Sequence, residues 1–240
     1  DIRTALQGQQ GDRRLRLGIA GGEWKKMMAD ATARTRFASE VKKIIEQYDF
    51  DGVDFDFEWP ANASEYNNYS ATVIQMRSTL GKYVYFTASL HPVSFKISPE
   101  AIDALDFISY QCYGPAVMRF PYEQFVKDGE AAVAYGIPKN KLVMGVPFYG
   151  STGSLIAAYC DFVNDGLATT NEDTYTYKGN TYTFNSIETI RKKARYVCEE
   201  DYAGIMSWDL ATDIDITNNK SLLKVIKDCL LYTSPSPRDT

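Results

Sequence analysis

Residues 51–60, Asp-Gly-Val-Asp-Phe-Asp-Phe-Glu-Trp-Pro, constrain the fold of this chain more than any other stretch. From Val53 to Glu58 the order alternates strictly, apolar at Val53, Phe55 and Phe57 and acidic at Asp54, Asp56 and Glu58. That is strand periodicity, so the three carboxylates share one face, with neighbours about 7 Å apart along the strand. Like charges so spaced repel, and some must hold a proton near neutral pH or be strongly hydrogen-bonded. Apolar residues at helical spacing flank the strand on both sides. Phe37, Val41, Ile44, Ile45 and Tyr48 precede it; Tyr69, Val73, Met76 and Leu80 follow, with Gly81 placed to end the second helix. An antiparallel sheet with one wet face would also alternate, but the flanking helices argue against it. A strand between two helices reads as part of a βα repeat, and its parallel sheet is covered by helices. An acidic face then fits where it lines the inside of a closed barrel, near the mouth.

The same rhythm runs along the chain. Residues 15–20 read as a short strand leading into Gly21-Gly22, 35–49 as a helix, and 83–90 as a strand. Ser98 as N-cap with Pro99 in the first turn predicts a short helix over 99–105. A strand at 106–113, a helix at 121–135 and a buried strand at 141–149 come next. From 151 to 185 the pattern breaks, and the Tyr/Thr run around Lys178-Gly179-Asn180 reads as a β-hairpin inserted on a βα loop. A helix at 187–200 capped by Ser186, a strand at 203–209 and a helix at 219–228 complete the order. About six βα units of this kind are the sequence sign of an α/β fold, the TIM (β/α)8 barrel, whose site lies at the carboxyl ends of the strands. The barrel domain is 15–228, with its insertion at 151–185, behind a polar lead-in at 1–14. Residues 229–240 show no period and resemble a translated sequencing adaptor, so they are set aside as a non-native tail.

Composition excludes several classes. With 240 residues, 45% of them hydrophobic, and a net charge of −5, the chain suits one globular domain with a large core. It has no basic patch for nucleic acid and no apolar run long enough to span a membrane. Cys112, Cys160, Cys198 and Cys229 lack metal-ligand spacing, His91 is the single histidine, and no phosphate-binding glycine loop is present. No cofactor and no metal are expected, although an all-carboxylate metal site stays open. A Cys-His pair or a Ser-His-Asp triad through His91 is formally possible and is not the favoured chemistry.

Asp51-x-x-Asp54-x-Asp56-x-Glu58 resembles the Asp-x-x-Asp-x-Asp-x-Glu signature of family-18 glycoside hydrolases, the chitinases and their relatives. The similarity runs through most of residues 15–228. Gly21-Gly22 resembles the glycine pair after the family's third strand, with Ile19 where a serine is usual. Gln111-Cys112-Tyr113 is similar to the sixth-strand motif, Pro147-Phe148-Tyr149-Gly150 to the seventh, and Met206-Ser207-Trp208 to the eighth. The resemblance implies a retaining glycosidase without an enzyme nucleophile. In it, Glu58 protonates the glycosidic oxygen and Asp56 holds the 2-acetamido N–H of the substrate. Asp54 shares a proton with Asp56, and Tyr113 donates to the acetamido oxygen. Trp208 forms an apolar floor under the reacting sugar. Gln111, Tyr149 and Trp59 are further substrate contacts, with plain packing an open alternative for Tyr149, Trp59 and Trp208. Asp51 orders the start of the strand rather than doing chemistry.

The partner so implied is a polysaccharide or oligosaccharide containing N-acetylglucosamine, handled by a secreted or cell-surface protein that is monomeric at full length. Two other functions stay in view: an endo-β-N-acetylglucosaminidase acting on N-glycan cores, and a chitin-binding lectin without catalysis. Gly114 stands where the family usually has Asp or Asn, and Ser151 where many chitinases have arginine, which bears on substrate choice more than on reaction type. If 15–22 corresponds to the third strand, the first two βα units lie upstream, and the chain is expected to be a fragment of a longer protein.

Overall fold

The computed structural model describes residues 13–114, 116–168 and 171–233, together with Thr4. It falls into two compact units, Asp1–Ile108 and Ser109–Thr240, divided within one strand.

The first unit alternates strands and helices: β1 (Arg16–Ala20), α1 (Trp24–Ala29), α2 (Ala31–Tyr48), β2 (Gly52–Asp56), α3 (Ala63–Leu80), β3 (Tyr85–Leu90), α4 (Pro99–Ala104) and the first half of β4 (Phe107–Tyr110). The strands lie in the order β1-β2-β3-β4, with β1–β2 and β2–β3 parallel. Local chemistry sets the helix ends. The side chains of Asp30, Asn62 and Ser98 accept from Ala33, Glu65 and Ala101 N–H groups, satisfying otherwise orphaned donors. Gly81 ends α3 as expected, its N–H reaching the Arg77 carbonyl. On α3 the expected stripe Tyr69, Val73, Met76 and Leu80 is buried throughout. On α2 Val41 and Ile45 are buried, whereas Ile44 and Tyr48 are exposed, so its apolar stripe is narrower than its sequence suggests. Helix α1 falls where no helix was expected; Trp24 and Met28, one turn apart, bury against the unit.

Strand β2 is shorter than the alternation, ending at Asp56, so Glu58 sits past its carboxyl end rather than on it. The alternation of burial nevertheless continues, with Phe57 buried and Glu58 exposed. Gly52 opens β2 because β3 runs so close that a Cβ there would lie 2.6 Å from the Tyr85 Cβ and collide with its carbonyl oxygen.

In the second unit the order is β4-β5-β10, where β5 is Leu142–Pro147 and β10 is Gly204–Trp208. These two pair in parallel, from Val143 opposite Gly204 to Pro147 opposite Trp208. Helices α5 (Tyr122–Tyr135), α7 (Ile187–Glu199) and α8 (Leu222–Thr233) belong here, Ser186 capping α7 as its sequence predicts. The insertion is more than a hairpin. Strands β6 (Tyr149–Ser151), β7 (Ile156–Ala158), β8 (Thr174–Tyr177) and β9 (Asn180–Thr183) form an antiparallel sheet in the order β7-β6-β9-β8. The short helix α6 (Tyr159–Asn164) places Phe162 against the rings of Tyr175, Tyr177, Tyr182 and Phe184.

Helix α8 starts later than expected and runs on through 229–233, where no period was read. Asp213 accepts from the Leu222 and Leu223 N–H groups, which fixes the start. Once nucleated, a helix gains one bond per residue, and no proline stops it before Pro235. The rest of the expected tail, and all of the lead-in except Thr4 and residues 13–14, lie outside the described residues.

Candidate active site

The candidate residues of each unit gather at the carboxyl ends of its parallel strands, where backbone turns outward and side chains of several strands converge. In the first unit these are Asp56, which ends β2, and Glu58 just past it, with Ser89 and His91 around the end of the neighbouring β3. Asp54 lies one step deeper and is heavily engaged. Its Oδ1 accepts from Thr87 Oγ1 and lies 3.3 Å from an Arg16 guanidinium nitrogen, and its Oδ2 accepts from Ser89 Oγ at 2.8 Å. Arg16 also donates to Thr87 Oγ1 and lies over the Phe107 ring, so guanidinium, hydroxyl and carboxylate form one chain of bonds. The repulsion expected among the three acids is thus met at Asp54 by two hydroxyls and a cation. Asp56 is half-buried and Glu58 exposed.

Arg16, Thr87 and Ser89 were not singled out from sequence, although a signal was there. Arg16 stands between Leu15 and Leu17, and Thr87 and Ser89 alternate with Phe86, Ala88 and Leu90, so both strands show a polar face. Asp51, just before β2, is bonded to the chain ahead of β1. Its carboxylate accepts from the Leu15 N–H at 2.6 Å and its backbone N–H donates to the Leu15 carbonyl, tying β2 to the entry of β1. The Trp59 ring packs 4.9 Å from that of His91, whose Nδ1 accepts from the Val93 N–H. His91 is therefore part of the packing under Trp59.

In the second unit Gln111 and Tyr113 follow β4, Tyr149 follows β5, and Trp208 ends β10. Tyr113, Tyr149 and Phe120 form a buried aromatic cluster with Met206 packed against it. The Tyr149 ring is edge-on to both Tyr113 (6.3 Å) and Phe120 (5.6 Å), and the Tyr113 hydroxyl lies 3.6 Å from Met206 Sδ. Burial pushes the Tyr149 hydroxyl up to about 12, so it is a neutral donor across the working pH range. Gln111 is buried, while Trp208 exposes 54% of its surface.

Behind the aromatic cluster lies Lys193 of α7, fully buried. Its Nζ donates to the Phe120 carbonyl and to Asn185 Oδ1, both at 2.7 Å, and sits 4.9 Å over the Phe125 ring. Burial lowers its pKa to about 7. Among the described residues no group of three or more His, Cys, Asp or Glu side chains could hold a metal ion, and no helix is long and apolar enough to cross a membrane.

The model of glycosyl hydrolases family 18 matches residues 5–213. The chain belongs to this family. Among family-18 relatives, probable chitinase 2 of Drosophila melanogaster is 22% identical, the match covering 86% of this chain and 58% of that protein. The chain therefore spans somewhat more than half of that relative. The family-18 chitinase from the chitin utilization locus of Flavobacterium johnsoniae superposes with a TM-score of 0.76 at 27% identity, covering 89% of this chain and 74% of the other. A chitinase-like agglutinin of Robinia pseudoacacia shares the fold as well, with a TM-score of 0.72 at 18% identity over 89% of this chain and 80% of its own. The family-18 fold is the TIM barrel expected from the βα repeats.

Proposed function

We propose that this chain carries the catalytic groups of a chitinase-type hydrolase that cleaves β-1,4-linked N-acetylglucosamine glycans with retention, using the substrate's own acetamido group as nucleophile. The observation that carries this reading is the graded setting of three acids at alternate positions: Asp54 bound on both oxygens, Asp56 half-buried at the strand end, Glu58 exposed beyond it. An exposed acid, open to a substrate, suits proton donation to the glycosidic oxygen. As the C–O bond breaks, the acetamido oxygen attacks the anomeric carbon and an oxazolinium ion forms. Asp56 takes the acetamido N–H and balances the positive charge, with Asp54 sharing a proton with it from behind. Tyr113 holds the acetamido oxygen and Trp208 lies under the ring. Water then attacks the anomeric carbon, giving its proton to the Glu58 carboxylate, and the configuration is retained.

Glu58→Gln tests the assignment. Hydrolysis of chito-oligosaccharides is expected to fall by at least about a thousandfold, since the proton donor is lost, while oligosaccharide binding persists. Unchanged turnover would end the role given to Glu58.

A second reading, cleavage within N-glycan cores by the same chemistry, draws support from Gly114 and Ser151, which stand where chitinases usually carry larger polar residues. Turnover of a high-mannose glycopeptide in preference to chitin oligomers would favour it. A lectin role is weakened by the presence of Glu58. Polymeric chitin cannot enter a cell, so the reading also places the protein at the cell surface or outside it.

A further inference from the structure

Gly114 directly follows Tyr113, and its missing side chain is spatially occupied. A Cβ built there would lie 2.5 Å from the Tyr149 hydroxyl, closer than any side-chain carbon tolerates. The phenol cannot retreat easily, because its ring is wedged edge-on between Tyr113 and Phe120, and Phe120 is pinned from behind by the Lys193 bond to its carbonyl. Tyr149 keeps 9% of its surface exposed, and among the described residues its hydroxyl donates to no protein acceptor. A phenol O–H held beside Tyr113 without a protein partner is a donor waiting for a ligand acceptor.

We propose that Gly114 is a specificity-determining residue: by having no side chain it lets the Tyr149 hydroxyl stand beside Tyr113 and donate to a carbonyl or hydroxyl oxygen of an N-acetylated sugar. Any larger residue at 114 displaces that hydroxyl. Selectivity at this point is then set by one uncharged donor and by a space too small for a second side chain, so binding through it is flat in pH. The inference rests on the proposed glycosidase reading for its ligand, but not for the coupling of the two residues.

A double-mutant cycle on the full chain tests it, using Gly114→Ala, Tyr149→Phe and the pair, with a soluble chito-oligosaccharide as probe. Tyr149→Phe is expected to raise KM about tenfold, the worth of one hydrogen bond to a ligand, with kcat changing less. Gly114→Ala is expected to raise KM at least as much and to lower the thermal midpoint. In the Tyr149→Phe background the same alanine has no hydroxyl to strike, so it is expected to add less than about twofold in KM and to recover most of the lost midpoint. Additive effects on both readouts, or an unaltered KM in Tyr149→Phe, would overturn the proposal. If the wild type neither binds nor cleaves the probe, the glycosidase reading fails; the thermal midpoints then still show whether Gly114 and Tyr149 are coupled, and the assignment of a sugar as ligand falls.

Discussion

Arg16 meets Asp54 across the β1–β2 strand pair, its guanidinium 3.3 Å from the carboxylate, and the two share Thr87 as a hydroxyl bridge. This places a fixed cation behind the innermost of three acids. Charge on Asp54 is thereby matched by a guanidinium and a hydroxyl within hydrogen-bond range.

Thr87→Val keeps the shape of the side chain and removes the bridge. Loss of one hydrogen bond to a charged group is worth about 1.5–3 kcal/mol, so kcat is expected to fall by about tenfold to a hundredfold, with a smaller change in KM. The pH–rate profile should shift with it. A variant with the wild-type profile and kcat would show that the bridge is uncoupled from the chemistry.

Trp208 is expected to act on binding alone. With 54% of its surface exposed it contributes little packing. Trp208→Ala should weaken chito-oligosaccharide binding by about 1.5–3 kcal/mol, the worth of one covered large apolar side chain, and leave urea unfolding unchanged. Calorimetric titration beside an unfolding curve separates the two effects, and a large loss of stability with intact binding would recast Trp208 as packing.

Gly52→Ala should be costly for the opposite reason. Its methyl would meet the Tyr85 carbonyl in the next strand, and overpacking of that kind costs about 1–3 kcal/mol or more. Equilibrium unfolding in urea measures it; a neutral alanine would mean that β3 can slide away at no cost.

Lys193 predicts a pH dependence of stability. Its pKa is about 7 when folded and about 10.4 when exposed, so above pH 7 the unfolded chain binds the extra proton. Stability from this group is therefore lowest below pH 7 and rises as pH climbs toward 10. Buried Cys112, whose thiol is pushed well up, works in the other direction once the unfolded thiol ionises, near pH 9. The clean window is pH 7 to 9. Lys193→Met should lower stability overall, by stranding the Phe120 and Asn185 oxygens, and flatten the slope in that window. An unaltered slope would mean that another group titrates there.

The residues 51–60 carried much of this protein in their own order. Alternation at period two put Asp54, Asp56 and Glu58 on one face, and apolar residues three and four apart marked the helices on either side. Turn and cap residues such as Ser98, Ser186 and Lys178-Gly179 act on their immediate neighbours, so their effect could be read locally. The structure decided what depends on contacts between distant residues. Arg16 and Thr87 reach Asp54 from 38 and 33 positions away. Lys193 of α7 is buried with a partner in place because the Phe120 carbonyl, 73 residues distant, accepts a hydrogen bond from its Nζ. The last helix starts at Leu222 rather than near 219 because Asp213 caps it from outside the helix. Periodicity tells which face a side chain takes; which partner waits there depends on how the chain returns, and only packing settles that.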